Sequence, residues 1–319
     1  MFEGLLAGLL WGLDTVIIGI ALSMTPFLST EQAIFLSPFV STFIHDFFSS
    51  LWMIMYMVIR KEFSKVLNAL KSKSGKFIVL AALIGGPLGM TGYVLSIKYI
   101  GAAYTAIISA MFPAVGALFS YIFLKEKMKL YQLAGLFISI GGVIALGYTP
   151  GGSDVDNVLL GFLFALMCVV GWAAEAVIIA YGLKDPNISD EQALQIRQLT
   201  SAVFYAIIIL PLLGGWGLSF NIFTSSTMPI ILISALFGTT SYLFYYKAIN
   251  KIGASKAMAL NITYCAWAIV FGFFILQESV SGKDILFAAI IIGGSIVAAS
   301  DIKELFKRNK QKNELKKIS

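Results

Sequence analysis

Apolar runs of eighteen or more residues with almost no charge recur along this chain from Phe2 to Ser300, and no other feature restricts its fold so tightly. The first, Phe2 to Ser23, holds only Glu3 and Asp14 as charged residues. Each run is long enough to cross the roughly 30 Å hydrocarbon core of a bilayer as a helix. Strands of a membrane barrel would instead read as segments of about ten alternating residues, a pattern that is missing. The chain is therefore expected to be an all-α integral membrane protein. Charged residues make up 13% of the 319 positions, about half the share usual in a soluble protein. The N-terminal run has no basic residues ahead of it and exceeds the usual length of a signal-peptide core, so it reads as a span.

Ten transmembrane helices are expected, at 3–24, 33–59, 77–98, 102–124, 130–148, 157–183, 191–213, 228–249, 254–276 and 284–302. Turn signals separate them: Gly75, Gly101, Pro150-Gly-Gly152, Lys184-Asp-Pro186, Gly214-Gly215 and Gly253. The connections are short and leave no room for a separate soluble domain. With the N-terminus placed in the cytoplasm, inward segments hold 20 of the 23 Lys and Arg residues, outward segments hold Lys98 and Lys283, and Arg197 lies within a span. That asymmetry predicts both termini inside the cell, in a bacterial inner membrane. It also accounts for the net charge of +6 as a topogenic signal and a basic, lipid-facing tail, so no nucleic-acid partner is expected.

The chain repeats itself. At an offset of 152 residues Tyr93 matches Tyr245, Ile100-Gly101-Ala102 matches Ile252-Gly253-Ala254, Phe119 matches Phe271, Glu126 matches Glu278 and Gly141-Gly142 matches Gly293-Gly294. Ile44-His45-Asp46 falls on Ile196-Arg197-Gln198, and at an offset of 161 Trp11-Gly-Leu-Asp14 falls on Trp172-Ala-Ala-Glu175. The expected organisation is a five-helix repeat at 1–150, a second repeat at 151–302 and a basic cytoplasmic tail at 303–319. Five spans per unit oblige the second copy to enter the membrane from the opposite side. Inverted repeats of this kind place a substrate site near the midplane and alternate its access by rocking.

Ionisable groups inside spans are costly and mark function by default. Here they are Asp14, His45, Asp46, Glu175, Arg197 and, by depth, Lys247. Asp14 and Glu175 each follow a tryptophan by three residues, so Trp11 and Trp172 share a helix face with them one turn away. Tyr242 and Tyr245, and Tyr264 and Trp267, repeat that spacing, while Met90, Tyr93, Tyr104 and Phe112 lie at comparable depth. An aromatic box with a carboxylate suits a quaternary ammonium, which has no N–H to donate and is held only by cation–π attraction, charge and shape. The blander reading of the rings is packing, since Phe and Tyr number 25 and 13. His45, Asp46, Arg197 and Gln198 read as a structural polar network between the halves or as coupling residues. Trp52 and Trp216 read as interfacial anchors, Glu126 and Glu278 as caps or partners of loop lysines, and Pro87 and Pro113 as kinks. Cys168 and Cys265 read as small packing residues, with neither disulfide nor metal spacing. One histidine, no P-loop and no GxSxG segment argue against an enzyme, and no cofactor is expected.

The ten spans, Lys125-Glu-Lys127 closing the fourth and Gly141-Gly142 in the fifth resemble the EamA-type drug/metabolite transporter superfamily over nearly the whole chain. Within it, His45-Asp-Phe-Phe-Ser49, Gly86-Pro-Leu-Gly-Met90, Lys98-Tyr-Ile-Gly101, Trp172-Ala-Ala-Glu175, Ile196-Arg-Gln-Leu-Thr-Ser201, Ser241-Tyr-Leu-Phe-Tyr-Tyr246 and Tyr264-Cys-Ala-Trp267 are similar to the Lic-type choline permeases. That resemblance implies a secondary importer of choline, with a site of aromatic rings and an acid at Trp172, Glu175, Tyr264, Trp267 and Tyr245. Asp14, beside Trp11, departs from the family's small residue and adds a second carboxylate. The expected partners are a small cation, the lipid bilayer and, as coupling ion, protons carried by Glu175, Asp14 or His45. The same fold also accommodates an exporter of amino acids, drugs or other metabolites.

Overall fold

Among residues 1–147 and 158–301, which the computed structural model describes, every regular element is a helix. The expected turn at Pro150-Gly-Gly152, the outward loop and the basic tail lie outside these residues. In chain order the helices are α1 (Phe2–Leu22), α2 (Glu31–Ile59), α3 (Phe63–Lys71), α4 (Lys73–Gly101), α5 (Phe112–Leu124), α6 (Leu130–Gly147), α7 (Val158–Gly182), α8 (Asp190–Leu213), α9 (Trp216–Phe223), α10 (Met228–Ile252), α11 (Ala254–Leu276) and α12 (Gly282–Ala299). Eight of them, all but α3, α5, α6 and α9, are long and apolar enough to cross a membrane. Side-chain oxygens of Thr30, Ser72, Ser189 and Ser281 accept from the first free amides of α2, α4, α8 and α12.

The expected span at 130–148 is the single helix α6, which runs to the last described residue, Gly147, while the one at 102–124 appears as shorter pieces. Gly101 (φ 78°, ψ 162°) turns the chain after α4, residues 102–109 are helical, and a break at Ala110-Met111 precedes α5. Pro113 therefore sits in the first turn of α5, where its missing N–H costs nothing, and starts a helix instead of kinking one. Pro87 lies in a π-helical stretch, Ile84–Gly89, whose wider winding absorbs the missing donor.

Backbone conformation recurs at the 152-residue offset. Gly253 (φ 86°, ψ 160°) repeats Gly101, a break at Ile262-Thr263 repeats Ala110-Met111, and left-handed Lys125 (φ 60°, ψ 23°) and Gln277 (φ 57°, ψ 30°) end α5 and α11. The glutamates that follow differ. Glu126 crosses to the start of α11, where its carboxylate accepts from Ala254 N (3.0 Å), Ser255 N (3.1 Å) and Ser255 Oγ (2.7 Å). Glu278 is exposed; its backbone N–H donates to Gly272 O (3.3 Å), but its carboxylate has no hydrogen bond or ion pair among the described residues.

The helices pack in exchanged pairs. α1 lies against α10 and α11, and α7 lies against α4 and α5; α2 meets α8, α10 meets α2 and α4 meets α8. α6 and α12 approach closely along small residues. A Cβ on Gly135 would stand 2.7 Å from Gly294 O, and Ser139 Oγ lies 2.8 Å from Ser295 Oγ. Without a hydrophobic drive between helices in lipid, such close approach is what holds them.

Candidate functional site

α8 buries its polar side: Gln192, Gln195, Arg197, Gln198 and Ser201 are all enclosed. α1, α2 and α7 meet it with single acids and one histidine, and together they make a chain of charge. Arg197 Nε donates to Glu175 Oε1 at 2.8 Å, and its Nη1 donates to Asp46 Oδ2 at 3.2 Å and to Gln198 Oε1 at 2.7 Å. Ser201 Oγ donates to Asp46 Oδ2 at 2.5 Å. His45 stands between two acids, with Nδ1 3.4 Å from Asp46 Oδ1 and Nε2 3.4 Å from Asp14 Oδ2. The second distance is within ion-pair range but off hydrogen-bond alignment. Ser234 donates to the other oxygen of Asp14. The sequence of contacts is Asp14–His45–Asp46–Arg197–Glu175.

Glycines let these groups approach. A Cβ on Gly238 would collide with the His45 ring and stand 2.8 Å from Asp14 Oδ2. A Cβ on Gly85 would collide with Glu175, and one on Gly86 would lie 2.7 Å from Ser201 Oγ. Three carboxylates face one guanidinium and one imidazole, so with all three ionised the cluster stays negative even when His45 is protonated. Buried charges need full compensation to offset desolvation, so this cluster favours one further positive charge, whether proton or ligand.

Two groups of rings flank the cluster. Trp11 lies 5.0 Å from Tyr242 and 5.8 Å from Tyr264, centroid to centroid. Trp172 stacks on Tyr93 at 5.6 Å and meets Phe112 edge-on at 5.9 Å. The Arg197 guanidinium lies over the Tyr242 ring, 4.6 Å from its centroid, and donates to its hydroxyl at 3.2 Å. Tyr242 thus ties the first ring group to the charge chain. Trp11, Tyr93, Trp172, Tyr242, Tyr264 and Trp267 stay partly accessible although they lie between packed helices.

The predicted residues are therefore brought together unequally. Asp14 and Glu175, read from sequence as cargo ligands, and His45, Asp46, Arg197 and Gln198, read as a network apart, form one cluster. Trp11 and Tyr264 share one ring group and Trp172 belongs to the other. Tyr245 is only 6% exposed and packs on Tyr242 and Tyr246 in the core. Trp267 backs onto Gly12, and its indole nitrogen is buried without a hydrogen-bond partner among the described residues. Lys247 pairs with Glu191 at 3.5 Å near the end of α10, away from the cluster. Of the expected anchors, Trp52 donates to Leu232 O (3.4 Å) and Trp216 packs on Phe43 (5.4 Å). Cys168 and Cys265 are free thiols. Ser234, Gly85 and Gly238 escaped sequence reasoning, and Gly86 and Ser201 entered it only within motifs that carry the family resemblance; that Gly86 and Gly238 are 152 residues apart was the available signal.

The EamA-like transporter family matches residues 1–148 and 159–300. The protein LicB of Haemophilus influenzae is 34% identical over 218 residues, 68% of this chain and 73% of its own length. The riboflavin transporter ImpX of Fusobacterium nucleatum is 27% identical over 295 residues, 90% of this chain and 93% of that protein. A solved crystal structure superposes with a TM-score of 0.71 at 17% identity, covering 93% of this chain and 96% of that one; at this identity the likeness concerns the fold alone.

Proposed function

We propose, because the chain belongs to the EamA-like transporter family, that it imports choline or a related quaternary ammonium cation by alternating access. Family and relatives make it a multi-pass membrane transporter and not an enzyme. The choline reading rests on one observation above others: a buried charge cluster with a surplus of carboxylate, set between two groups of partly accessible rings. The seat of the Arg197 guanidinium over the Tyr242 ring is in keeping with a cation-binding wall. A fixed methylated cation at Trp172 or at Trp11 and Tyr264 would meet ring faces, with Glu175 or Asp14 one helical turn away. The 34% identity to LicB accords with the resemblance to Lic-type proteins drawn from the sequence motifs.

The architecture that fits is ten spans in two inverted repeats with cytoplasmic termini in a bacterial inner membrane. Its support is the exchanged packing of α1 and α7 and the backbone features repeated at 152 residues. Glu126, seated on the start of α11, would close the cytoplasmic side; Glu278, left free, would seat on Gly101 and the residues after it when the outer side closes. An inside-negative potential drives one positive charge inward by about 2.3 kcal/mol per 100 mV, roughly fiftyfold accumulation. Protons exchanged at Asp14, His45 or Glu175 would add to that.

The test is uptake of choline into proteoliposomes with voltage clamped at zero and an inward proton gradient imposed. Concentrative uptake that fails in Asp14→Asn and Glu175→Gln supports proton-coupled import; uptake driven by voltage alone leaves a uniporter. Absence of choline uptake under both forces rejects the cargo. A panel with riboflavin and amino acids in inside-out vesicles then tests the second reading, a metabolite exporter; the match along 90% of the chain to a riboflavin transporter supports the metabolite cargo of that reading.

A further inference from the structure

Away from the charge cluster, a cavity of about 420 Å³ opens on the side of the bundle. Its walls come from α3 (Phe63, Val66, Leu67, Leu70), α4 (Val79, Leu83) and α8 (Gln195 to Ile208). On α3 these residues fall at i, i+3, i+4 and i+7, the apolar stripe of an amphipathic helix. On α8 Leu199, Val203, Ile207 and Ile208 remain 40% to 66% exposed, so the groove faces lipid instead of being closed by protein. From Gln195 to Ile208 the groove follows α8 for about 20 Å at roughly 1.5 Å per residue. That is about half of the roughly 40–45 Å bilayer counted with its headgroup regions, the depth of one leaflet.

One end of the groove is strongly basic. Residues 60–76 hold six Lys and Arg residues against Glu62 alone, and Arg60 (3.3 Å) and Lys65 (3.2 Å) occupy that acid. Lys61, Lys71, Lys73 and Lys76 are exposed and have no acidic partner among the described residues. Lys76 precedes Val79 by three residues and Leu83 by seven, so it stands at the head of the stripe that lines the groove. Gln195, 1% exposed at the same end, donates to Ser50 (3.0 Å), while its amide oxygen has no donor among the described residues.

We infer that this groove is a binding site for an anionic phospholipid of the leaflet that α3 touches. One acyl chain lies along α8 between α3 and α4. The phosphate sits among Lys71, Lys73 and Lys76, and a headgroup hydroxyl donates to the Gln195 oxygen. A basic pocket between helices with an apolar floor is the chemistry that selects a charged lipid over a zwitterionic one. The site rests on the reading of the chain as a membrane protein but not on its cargo, so it stands or falls apart from the choline assignment.

The experiment is native mass spectrometry of the full chain released from detergent supplied with equal phosphatidylglycerol and phosphatidylethanolamine. Retained phosphatidylglycerol is expected. It should fall roughly tenfold or more in Lys71→Ser/Lys73→Ser/Lys76→Ser, persist in the matching triple arginine variant, and fall in Val203→Trp, which fills the groove. Thermal unfolding of each variant, with the same midpoint as the parent in lipid-free detergent, establishes folding. Equal retention of both lipids, or retention unaltered in the triple serine and Val203→Trp variants, overturns the site. So does protection by inorganic phosphate alone, or a lipid-free dimer by mass, which would assign the groove to a second copy.

Discussion

Arg197 follows His45 by 152 residues, and each holds one buried acid from another helix: His45 Nε2 lies 3.4 Å from Asp14 and Arg197 Nε lies 2.8 Å from Glu175. Asp46 links the two pairs, 3.4 Å from His45 and 3.2 Å from Arg197. Two acid–base pairs, one from each half of the chain, thus form one object.

Removing the central cation should cost far more than a surface charge. Arg197→Met leaves Glu175 buried without a counter-ion and Asp46 with His45 alone, and losing one partner of a buried pair costs about 3–5 kcal/mol. Denaturant unfolding in micelles should register that loss, and adding Glu175→Gln and Asp46→Asn should recover part of it. A single variant as stable as the parent would mean that the cluster is not charged as drawn.

Packing around the cluster gives a second check with internal controls. Gly238→Ala drives a methyl into the His45 ring, and overpacking of this kind costs roughly 1–3 kcal/mol. Gly141→Ala and Gly217→Ala meet no atom within 4 Å and should be silent. Equal effects of all three on melting temperature and uptake would contradict the close approach of α10 to α2.

For the rings, Trp172→Leu and Tyr264→Leu are each expected to weaken choline binding by about 0.5–2 kcal/mol, a roughly two- to thirtyfold rise in Kd. Trp267→Leu tests the ring that has no aromatic partner among the described residues, and Tyr245→Phe, at a buried packing residue, should leave Kd within twofold. Isothermal titration reads all four. Unchanged affinity in both Trp172→Leu and Tyr264→Leu would remove the cation cage.

The two glutamates that end α5 and α11 should behave oppositely in this state. Glu126→Gln loosens the start of α11, so spin labels at Lys125 and Asn250 should report longer or broader distances. Glu278→Gln should leave that distribution unchanged. Identical distributions in both variants would deny Glu126 a role in closing this side.

Orientation is open to a direct measurement outside the described residues. Cysteines at positions 310 and 153, labelled in intact cells, should be protected and reactive respectively. The reverse pattern would invert the proposed topology.

The elements themselves were readable before any coordinates. Run length and turn residues located the long helices to within a few residues, because crossing a bilayer is a constraint on contiguous sequence. The repeat was readable for a similar reason: equal offsets carry equal local backbone, as Gly101 and Gly253 or Lys125 and Gln277 demonstrate. The short helices α3 and α9 were read as connections between spans, being too brief to cross a bilayer. Asp14, Glu175, His45, Asp46 and Arg197 were each picked out as costly in a membrane, one residue at a time. Their union into one cluster was not readable, because it depends on how α1, α2, α7 and α8 face each other. Nor was the difference between Glu126, seated on α11, and its free counterpart Glu278: identical local sequence logic placed both, and only the packing of one conformational state decides which finds a partner. Run length and repetition, being properties of contiguous chain, were determined by sequence alone, while the pairing of charges across helices was settled by tertiary structure, since electrostatic energy depends on distance in space and not along the chain.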